Sequence, residues 1–168
     1  MIEVANISKK FGDRQVLSEV SMYLETGKVN MVIGQSGAGK SVFLKCLVGL
    51  LQTDLGEIHY DRRNFTEMNY QQKKELRQEI GMLFQGAALF DSLTVEQNVV
   101  FPLELFAKMS KSERLDRANF CLQRVNLINA NNLYPEEISG GMKKRVAIAR
   151  AIAMNPKYLF CDEPNSGL

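Results

Sequence analysis

Few residues of this chain could build a metal or disulfide framework. Among 168 residues there is one histidine, His59, which excludes a metal cluster made of several imidazoles. The three cysteines, Cys46, Cys121 and Cys161, lie far apart and are odd in number. Two of them sit in apolar segments, so we expect reduced, packed thiols rather than disulfides or a metal site.

Long hydrophobic runs and a strong excess of one charge are also missing. No apolar run approaches the roughly 20 residues that span a bilayer, and the N-terminus lacks the basic-then-apolar pattern of a signal peptide. The formal net charge is only +2, which does not indicate a nucleic-acid binder. We expect one cytoplasmic domain, long enough for a real core, that reaches a membrane only through a partner.

The most informative stretch is residues 34–41, which has the spacing G-x-x-x-x-G-K-S of a phosphate-binding loop. It follows the apolar run 29–33, which we predict to be a buried strand, and precedes residues 42–50, which we predict to be a helix. A glycine turn that merely links a strand to a helix is the alternative interpretation. The flanking elements favour nucleotide binding.

The residue types of this loop suit a triphosphate. Its glycines allow positive φ and a close approach of backbone N–H groups to an anion, and the following helix adds the positive end of its dipole. Lys40 supplies a charge for the β- and γ-phosphates, and the Ser41 hydroxyl is placed to ligate Mg²⁺. The candidate nucleotide-binding residues are Gly34, Gln35, Ser36, Gly37, Ala38, Gly39, Lys40, Ser41 and Val42.

A hairpin is predicted before the loop. Residues 2–5 and 16–24 alternate apolar and polar side chains, with a turn signal at Gly12 and Asp13 between them. Phe11 lies beside that turn. Its side chain could be a hydrophobic plug under the hairpin or a platform that stacks on an adenine.

After the loop, residues 55–60 are predicted to form another short strand and residues 70–77 a polar helix. The compact apolar run 80–84 is suited to a buried parallel strand. Gln85 follows at the C-terminal end of that strand, where ligand groups cluster in open α/β sheets.

From Thr94 onward the pattern becomes helical. Thr94 with Gln97 and Ser110 with Glu113 have capping-box spacing. Residues 92–134 therefore resemble a small helical insert between two parts of an α/β core.

Ser139, Gly140 and Gly141 precede a helix predicted over residues 143–154. A serine and two glycines at a helix start form a second candidate anion site, although a plain turn has the same composition.

The apolar run 158–161 is predicted to be a strand that ends in Asp162 and Glu163. The paired carboxylates could serve a metal ion and a water molecule. Alternatively, they are two solvated charges at the end of a strand.

Taken together, these pieces resemble the nucleotide-binding subunit of ABC transporters. The matching motifs are Walker A at 34–41, the Q-loop glutamine Gln85, the signature at 138–145 and Walker B at 158–164. They span nearly the whole chain, and their order and spacing are specific to the family.

The resemblance implies a role for each motif residue. Ser41, Gln85 and Asp162 would place Mg²⁺, Glu163 would orient and deprotonate the attacking water, and Phe11 would stack on the adenine. Phosphoryl transfer depends mainly on positioning and charge neutralisation. The implied catalytic residues are Glu163, Lys40 and Gln85, and the implied contacts from a second subunit are Ser139, Gly140 and Gly141.

The implied fold is an α/β P-loop NTPase of the ABC cassette type, a single domain over 1–168. Residues 1–91 would form an antiparallel β subdomain with the Walker A and Q-loop parallel-sheet core, 92–138 the α-helical subdomain, and 139–168 the signature helix and Walker B strand. Family members continue with an aspartate, a further sheet strand and a switch histidine. We therefore expect the C-terminal part to be missing and this piece alone to bind ATP weakly and hydrolyse it poorly.

The implied function is that of the ATP-binding subunit of a bacterial ABC transporter. Two copies would sandwich two ATP molecules head-to-tail, and closure of this dimer would drive transmembrane permease subunits at the cytoplasmic face of the inner membrane. No nucleic-acid partner is expected.

A closer resemblance is to the ATPase of Mla-type phospholipid transport systems. It rests on residues 81–105 and on Met142, where the wider family has a glutamine. Import of amino acids or metabolites is the alternative within the family. A soluble ABC ATPase of ribosomes or DNA is disfavoured by the single cassette and the short spacing from Gln85 to Ser139, and a P-loop kinase or GTPase by the absence of an N-K-x-D sequence.

Overall fold

The computed structural model describes residues 1–163, so the end of the Walker B motif and of the predicted 139–168 segment lie outside the described residues. The chain divides into two compact units, Met1–Leu76 and Arg77–Leu168. In chain order the elements are β1 (Ile2–Phe11), β2 (Arg14–Leu24), α1 (Lys40–Leu47), β3 (Leu55–Tyr60), β4 (Arg63–Asn64), α2 (Tyr70–Gln78), β5 (Ile80–Leu83), α3 (Val95–Phe106), α4 (Lys111–Arg124), a 3-10 turn (Pro135–Glu137), α5 (Gly140–Ile152) and β6 (Tyr158–Cys161).

The first unit is built on an antiparallel sheet with strand order β2-β1-β3-β4. The predicted hairpin is confirmed, since β1 and β2 pair up to Phe11 opposite Arg14 around the turn. The strand predicted at 55–60 is confirmed as β3, which pairs with the other edge of β1. Ile7 and Tyr60 are fully buried in this unit, and the Tyr60 hydroxyl donates to the Leu47 carbonyl of α1 at 2.9 Å.

The second unit contains two parallel strands and a helical core. β5 pairs with β6 in the register Ile80 opposite Tyr158 through Leu83 opposite Cys161, so both predicted strands are present and the one at 80–84 is parallel, as predicted. The pair is only partly buried, since Leu159 is 50% exposed. Helices α3, α4 and α5 share one hydrophobic cluster, whose buried members are Val95, Val99, Val100, Leu103, Ala118, Cys121, Leu122, Leu127, Ala130, Ile138, Val146, Ala149 and Ala153.

The helix starts in this unit follow from local capping. Both predicted capping boxes are confirmed, with Thr94 and Ser110 each accepting a hydrogen bond from the backbone three residues later. α5 begins at Gly140, three residues earlier than predicted, because the Ser139 side chain accepts from the Met142 backbone N–H and so fixes the first turn.

The prediction of a buried strand at 29–33 is wrong. These residues belong to no strand, and the side chains of Val29, Met31 and Ile33 are 94%, 76% and 84% exposed. A strand needs neighbours for its backbone N–H and C=O groups. Neither sheet of the described residues pairs with 29–33, so the apolar pattern alone did not produce the strand.

The three cysteines are unpaired thiols, and the predicted packing is found for two of them. Cys46 and Cys121 are buried, and Cys161 at the end of β6 is exposed. Burial raises the pKa of the Cys46 and Cys121 thiols, which makes both poor nucleophiles. Across residues 1–163, no helix combines the length and the apolar character of a membrane span.

Gly81→Ala tests the packing of β5 against α5. A Cβ at Gly81 would lie 2.3 Å from the Ala151 carbonyl oxygen and 2.9 Å from Pro156 Cγ, so the backbone must shift. We expect the free energy of unfolding to fall by about 1–3 kcal/mol or more, measured by urea denaturation.

The control is Gly140→Ala in the first turn of α5. No atom lies within 4 Å of a Cβ there, and alanine is the better helix former, so stability should be unchanged or higher. A Gly81→Ala midpoint equal to that of the unmodified protein would contradict the packing described.

Candidate functional site

The glycine loop leads directly into α1. Gly37 and Gly39 have φ of +79° and +90°, a backbone conformation that favours glycine. At Gly39 a Cβ would also lie 3.1 Å from the Val16 carbonyl oxygen and side chain of β2. The positive φ and the lack of room for a Cβ therefore both favour glycine at position 39. Because Gly39 has no side chain, the loop backbone can lie close to β2 of the hairpin.

Lys40 lies over this loop. Its Nζ donates to the carbonyls of Gly34 at 2.8 Å and Gln35 at 3.0 Å, and the Ala38 N–H closes the turn onto the Gln35 carbonyl at 3.2 Å. Residues 34–38 are all exposed. The ammonium group is thus held at an open surface of the loop, where an anion can reach it.

The start of α1 favours negative charge. Gly39 occupies the cap position with no side-chain cap hydrogen bond, and no acidic residue lies in the first turn. The first N–H groups of a helix and its dipole attract anions. Loop, lysine and helix terminus therefore form a candidate phosphate site within the first unit.

Phe11 ends β1 beside the turn, as predicted, and is 47% exposed. The Lys9 Nζ lies 5.6 Å from its ring centroid and is paired with the Asp54 carboxylate at 2.7 Å. The hydrogen bond from Lys9, joined by one from the Lys10 N–H, lowers the pKa of Asp54, so this carboxylate stays ionised at neutral pH. The Phe11 ring thus makes a cation–π contact with Lys9, while almost half of its surface is open to a ligand.

In the second unit, polar residues follow the carboxyl ends of β5 and β6. The Gln85 side-chain amide donates to the Glu163 carboxylate at 3.0 Å. Asp162 is 5% exposed, and its backbone N–H donates to the Leu83 carbonyl at 2.9 Å, one residue beyond the strand pairing. The structure therefore brings together Gln85 and Glu163, which the sequence placed at two separate strand ends.

The second candidate anion site is the start of α5. Ser139, Gly140 and Gly141 are all exposed, and the first turn of α5 contains no acidic residue. The Ser139 side chain caps the helix by accepting from Met142 N at 3.2 Å.

The predicted residues are divided between the two units. The loop, with Lys40, Ser41 and Val42, and Phe11 belong to the first; Gln85, Asp162, Glu163 and the start of α5 belong to the second. Within residues 1–163 no group of three or more His, Cys, Asp or Glu is arranged to hold a metal ion. The predicted magnesium donors are instead a hydroxyl, an amide oxygen and a carboxylate, the oxygen ligands that suit Mg²⁺ together with phosphate and water.

Two residues that the sequence analysis did not identify contact the segment that follows Gln85. Asn98 of α3 and Arg150 of α5 both bind backbone groups of the segment that follows Gln85. Each is a polar residue flanked by buried apolar residues of its helix, Val95 and Val99 for Asn98. A polar residue on an apolar helix face is the signal that could have indicated them.

Comparison with known proteins identifies the fold and the family. The family model described as ABC transporter matches residues 17–166. The dimeric, post-hydrolysis ATP-binding cassette MJ0796 bound to ADP and phosphate superimposes with a TM-score of 0.92 at 33% identity, covering 100% of this chain and 76% of that one. The structure of cbiO1 from Clostridium perfringens, part of the ABC transporter complex cbiONQ, gives a TM-score of 0.86 at 30% identity, with 99% and 66% coverage.

Curated relatives are similarly close in sequence. The "Probable ribonucleotide transport ATP-binding protein mkl" of Mycobacterium leprae is 41% identical over 99% of this chain and 48% of its own length. The "Methionine import ATP-binding protein MetN" of Clostridioides difficile is 42% identical over 100% of this chain and 52% of its own length. This chain thus spans about half the length of the curated relatives it matches. Motifs, fold and relatives agree, and the chain belongs to the ABC transporter family as an ATP-binding cassette domain.

Proposed function

We propose that this chain binds and hydrolyses ATP as the ATP-binding subunit of a bacterial ABC transporter. The observation that carries the proposal is Lys40, whose Nζ lies over an exposed glycine loop at the N-terminus of α1. Positive charge, open backbone and helix dipole converge there, which is the arrangement that a triphosphate requires.

The chemical roles follow from the side chains. Lys40 and the loop backbone bind the β- and γ-phosphates, and Phe11 stacks on the adenine. Ser41, Gln85 and Asp162 hold Mg²⁺, which when bound neutralises phosphate charge. Glu163 accepts the proton of the attacking water, and its hydrogen bond from Gln85 supports this role because it orients the carboxylate.

We further propose that two copies act as a head-to-tail dimer. The exposed, serine-capped start of α5 would contact the γ-phosphate bound to the other copy through Ser139, Gly140 and Gly141. A matched cassette structure is a dimer bound to ADP and phosphate, which supports this arrangement.

The partners would be transmembrane permease subunits on the cytoplasmic side of the inner membrane. Leu105, Phe106 and Met109, at and after the end of α3, are exposed apolar residues that suit a helix of such a subunit. The similar protein cbiO1 belongs to an ABC transporter complex. This chain would therefore reach the membrane only through its partners. The Gln85 segment and the start of the helical insert would form the groove that receives a helix of the permease subunit.

Phospholipid is the cargo that we propose, on the strength of residues 81–105 and of Met142 in the signature. Import of a small metabolite is the second candidate, because the names of two relatives refer to methionine import and to ribonucleotide transport.

Lys40→Ala tests the phosphate site. Removing a charge-assisted contact should raise the Kd for ATP by roughly tenfold or more, measured by titration calorimetry. Lys45→Ala removes the same charge from the last turn of α1 and is the matched control. Unchanged affinity in the Lys40 variant, or equal weakening in both variants, would overturn the assignment.

Glu163→Gln tests the general base. The amide cannot accept a proton, so kcat for ATP hydrolysis should fall by about 100-fold or more while ATP still binds and the dimer accumulates, as seen by light scattering after gel filtration. Glu136→Gln, which removes an exposed charge elsewhere in the second unit, should leave turnover unchanged. Continued turnover in the Glu163 variant would remove that residue from its role.

The cargo is tested in the complex with co-purified membrane subunits. After reconstitution in proteoliposomes, ATP should drive transfer of a fluorescent phospholipid, and the complex carrying Lys40→Ala should lose that transfer. ATP-driven uptake of radiolabelled methionine or nucleotide without phospholipid transfer would establish the second candidate instead.

A further inference from the structure

The segment after Gln85 has a backbone conformation that its own residues do not favour. Gly86, Ala87 and Ala88 have φ of +77°, +67° and +46° in succession. Glycine adopts this left-handed region readily, but the Cβ of an alanine is crowded there. Two consecutive alanines therefore need contacts from elsewhere in the fold to remain in it.

Arg150 of α5 supplies such contacts. Its Nη2 donates to the carbonyls of Ala87 at 3.0 Å and Ala88 at 2.8 Å, and its guanidinium lies 5.7 Å from the centroid of the Phe90 ring. Burial lowers the pKa of Arg150, but a guanidinium in a protein keeps its proton, so the donor is charged. One side chain thus contacts three of the five residues that follow Gln85.

Asn98 of α3 holds the other end of the same segment. It is fully buried, and its Oδ1 accepts from the Phe90 N–H at 2.9 Å. Its Nδ2 lies within 3.1 Å of the carbonyls of Phe90, Leu93 and Thr94. The segment is therefore bound on one side to α3 and on the other to α5, both of which belong to the helical core of the second unit.

We propose that Arg150 is a positioning residue for Gln85. It holds residues 86–88 in the left-handed conformation, and this fixes the direction in which Gln85 leaves β5 toward Glu163. The residue does not touch the reacting atoms; it acts through the backbone that follows Gln85. This inference rests on the proposed ATPase function for its kinetic consequence, and on the contacts above for its structural one.

Arg117 provides a matched comparison within the same unit. Its Nε and Nη2 donate to the carbonyls of Ala153 at 2.8 Å and Ile152 at 3.0 Å, and its guanidinium lies 5.2 Å from the Phe120 ring. It makes the same kinds of contact as Arg150, but at the C-terminal end of α5, where helix carbonyls lack intrahelical partners. Replacing it should affect stability without moving Gln85.

The test compares Arg150→Lys with Arg117→Lys in the purified protein. Hydrogen exchange followed by mass spectrometry should show at least about tenfold faster exchange over residues 86–90 in the Arg150 variant only. In ATP hydrolysis by the complex with co-purified membrane subunits, kcat should fall by roughly tenfold with KM changed less than twofold, because displacement of a catalytic group by about 1 Å is enough for such a loss.

Ala88→Gly provides a rescue that a merely space-filling arginine would not show. Ala88 is exposed, and glycine tolerates its left-handed φ, so adding this change to Arg150→Lys should restore a substantial part of kcat and of the protection. Phe90→Leu is the milder second variant in case Arg150→Lys does not fold. It removes the ring beside the guanidinium and should loosen the same segment to a smaller extent.

Normal exchange over 86–90 in both the Arg150 and the Phe90 variants, or equal loss of kcat in the Arg150 and Arg117 variants, would overturn the proposal. Faster exchange with kcat unchanged would also overturn it, since Gln85 would then not depend on the segment. Absence of ATP turnover in the unmodified protein within the complex with co-purified membrane subunits would contradict the proposed function alone, because the exchange measurement would still report on residues 86–90.

Discussion

The parallel pairing of β5 with β6 is the constraint on which the chemistry proposed for the second unit depends. The register aligns Leu83 with Cys161 at the last residue of each strand, so the residues two positions further along leave the sheet at the same edge. These residues are Gln85 and Glu163, whose side chains meet at 3.0 Å. A shift of one residue would turn alternate side chains to the other face of the sheet and separate the pair. Gly81 in β5 lets the Ala151 carbonyl of α5 approach the strand closely.

The two candidate anion sites use helix termini in different ways. The N-cap residue of α1 is Gly39, which has no side chain to cap the helix, whereas the N-cap of α5 is Ser139, whose hydroxyl accepts a hydrogen bond from a backbone N–H. An uncapped terminus leaves more of its N–H groups dependent on backbone turns or a ligand. Lys40 adds a full positive charge to α1, so this site should carry most of the phosphate affinity. The N-terminus of α5 is better suited to completing a phosphate site on another copy than to binding phosphate alone.

Sequence reasoning succeeded where the determining contacts are local. The capping boxes at Thr94 and Ser110 join residues three positions apart, and their spacing is visible in the sequence. The prediction of a strand at 29–33 is wrong because a strand is defined by hydrogen bonds to neighbours that the run itself does not contain. Asn98 and Arg150 could not be predicted from the sequence for a related reason. Both bind backbone groups of a loop, and the type of a residue does not indicate which backbone groups its side chain will contact.

Helix α5 connects two parts of the proposed mechanism. From Ser139 to Arg150 the chain advances 11 residues in sequence, about 16 Å along a helix, and Val146, Ala147 and Ala149 anchor this length in the core. One face of α5 packs in the hydrophobic cluster that it shares with α3 and α4, and such close packing transmits strain. Displacement of its N-terminus by a nucleotide would therefore be transmitted to the carbonyls that Arg150 holds, next to Gln85. In the proposed dimer, α5 would thus give closure a physical route to the edge of the sheet where Gln85 and Glu163 meet.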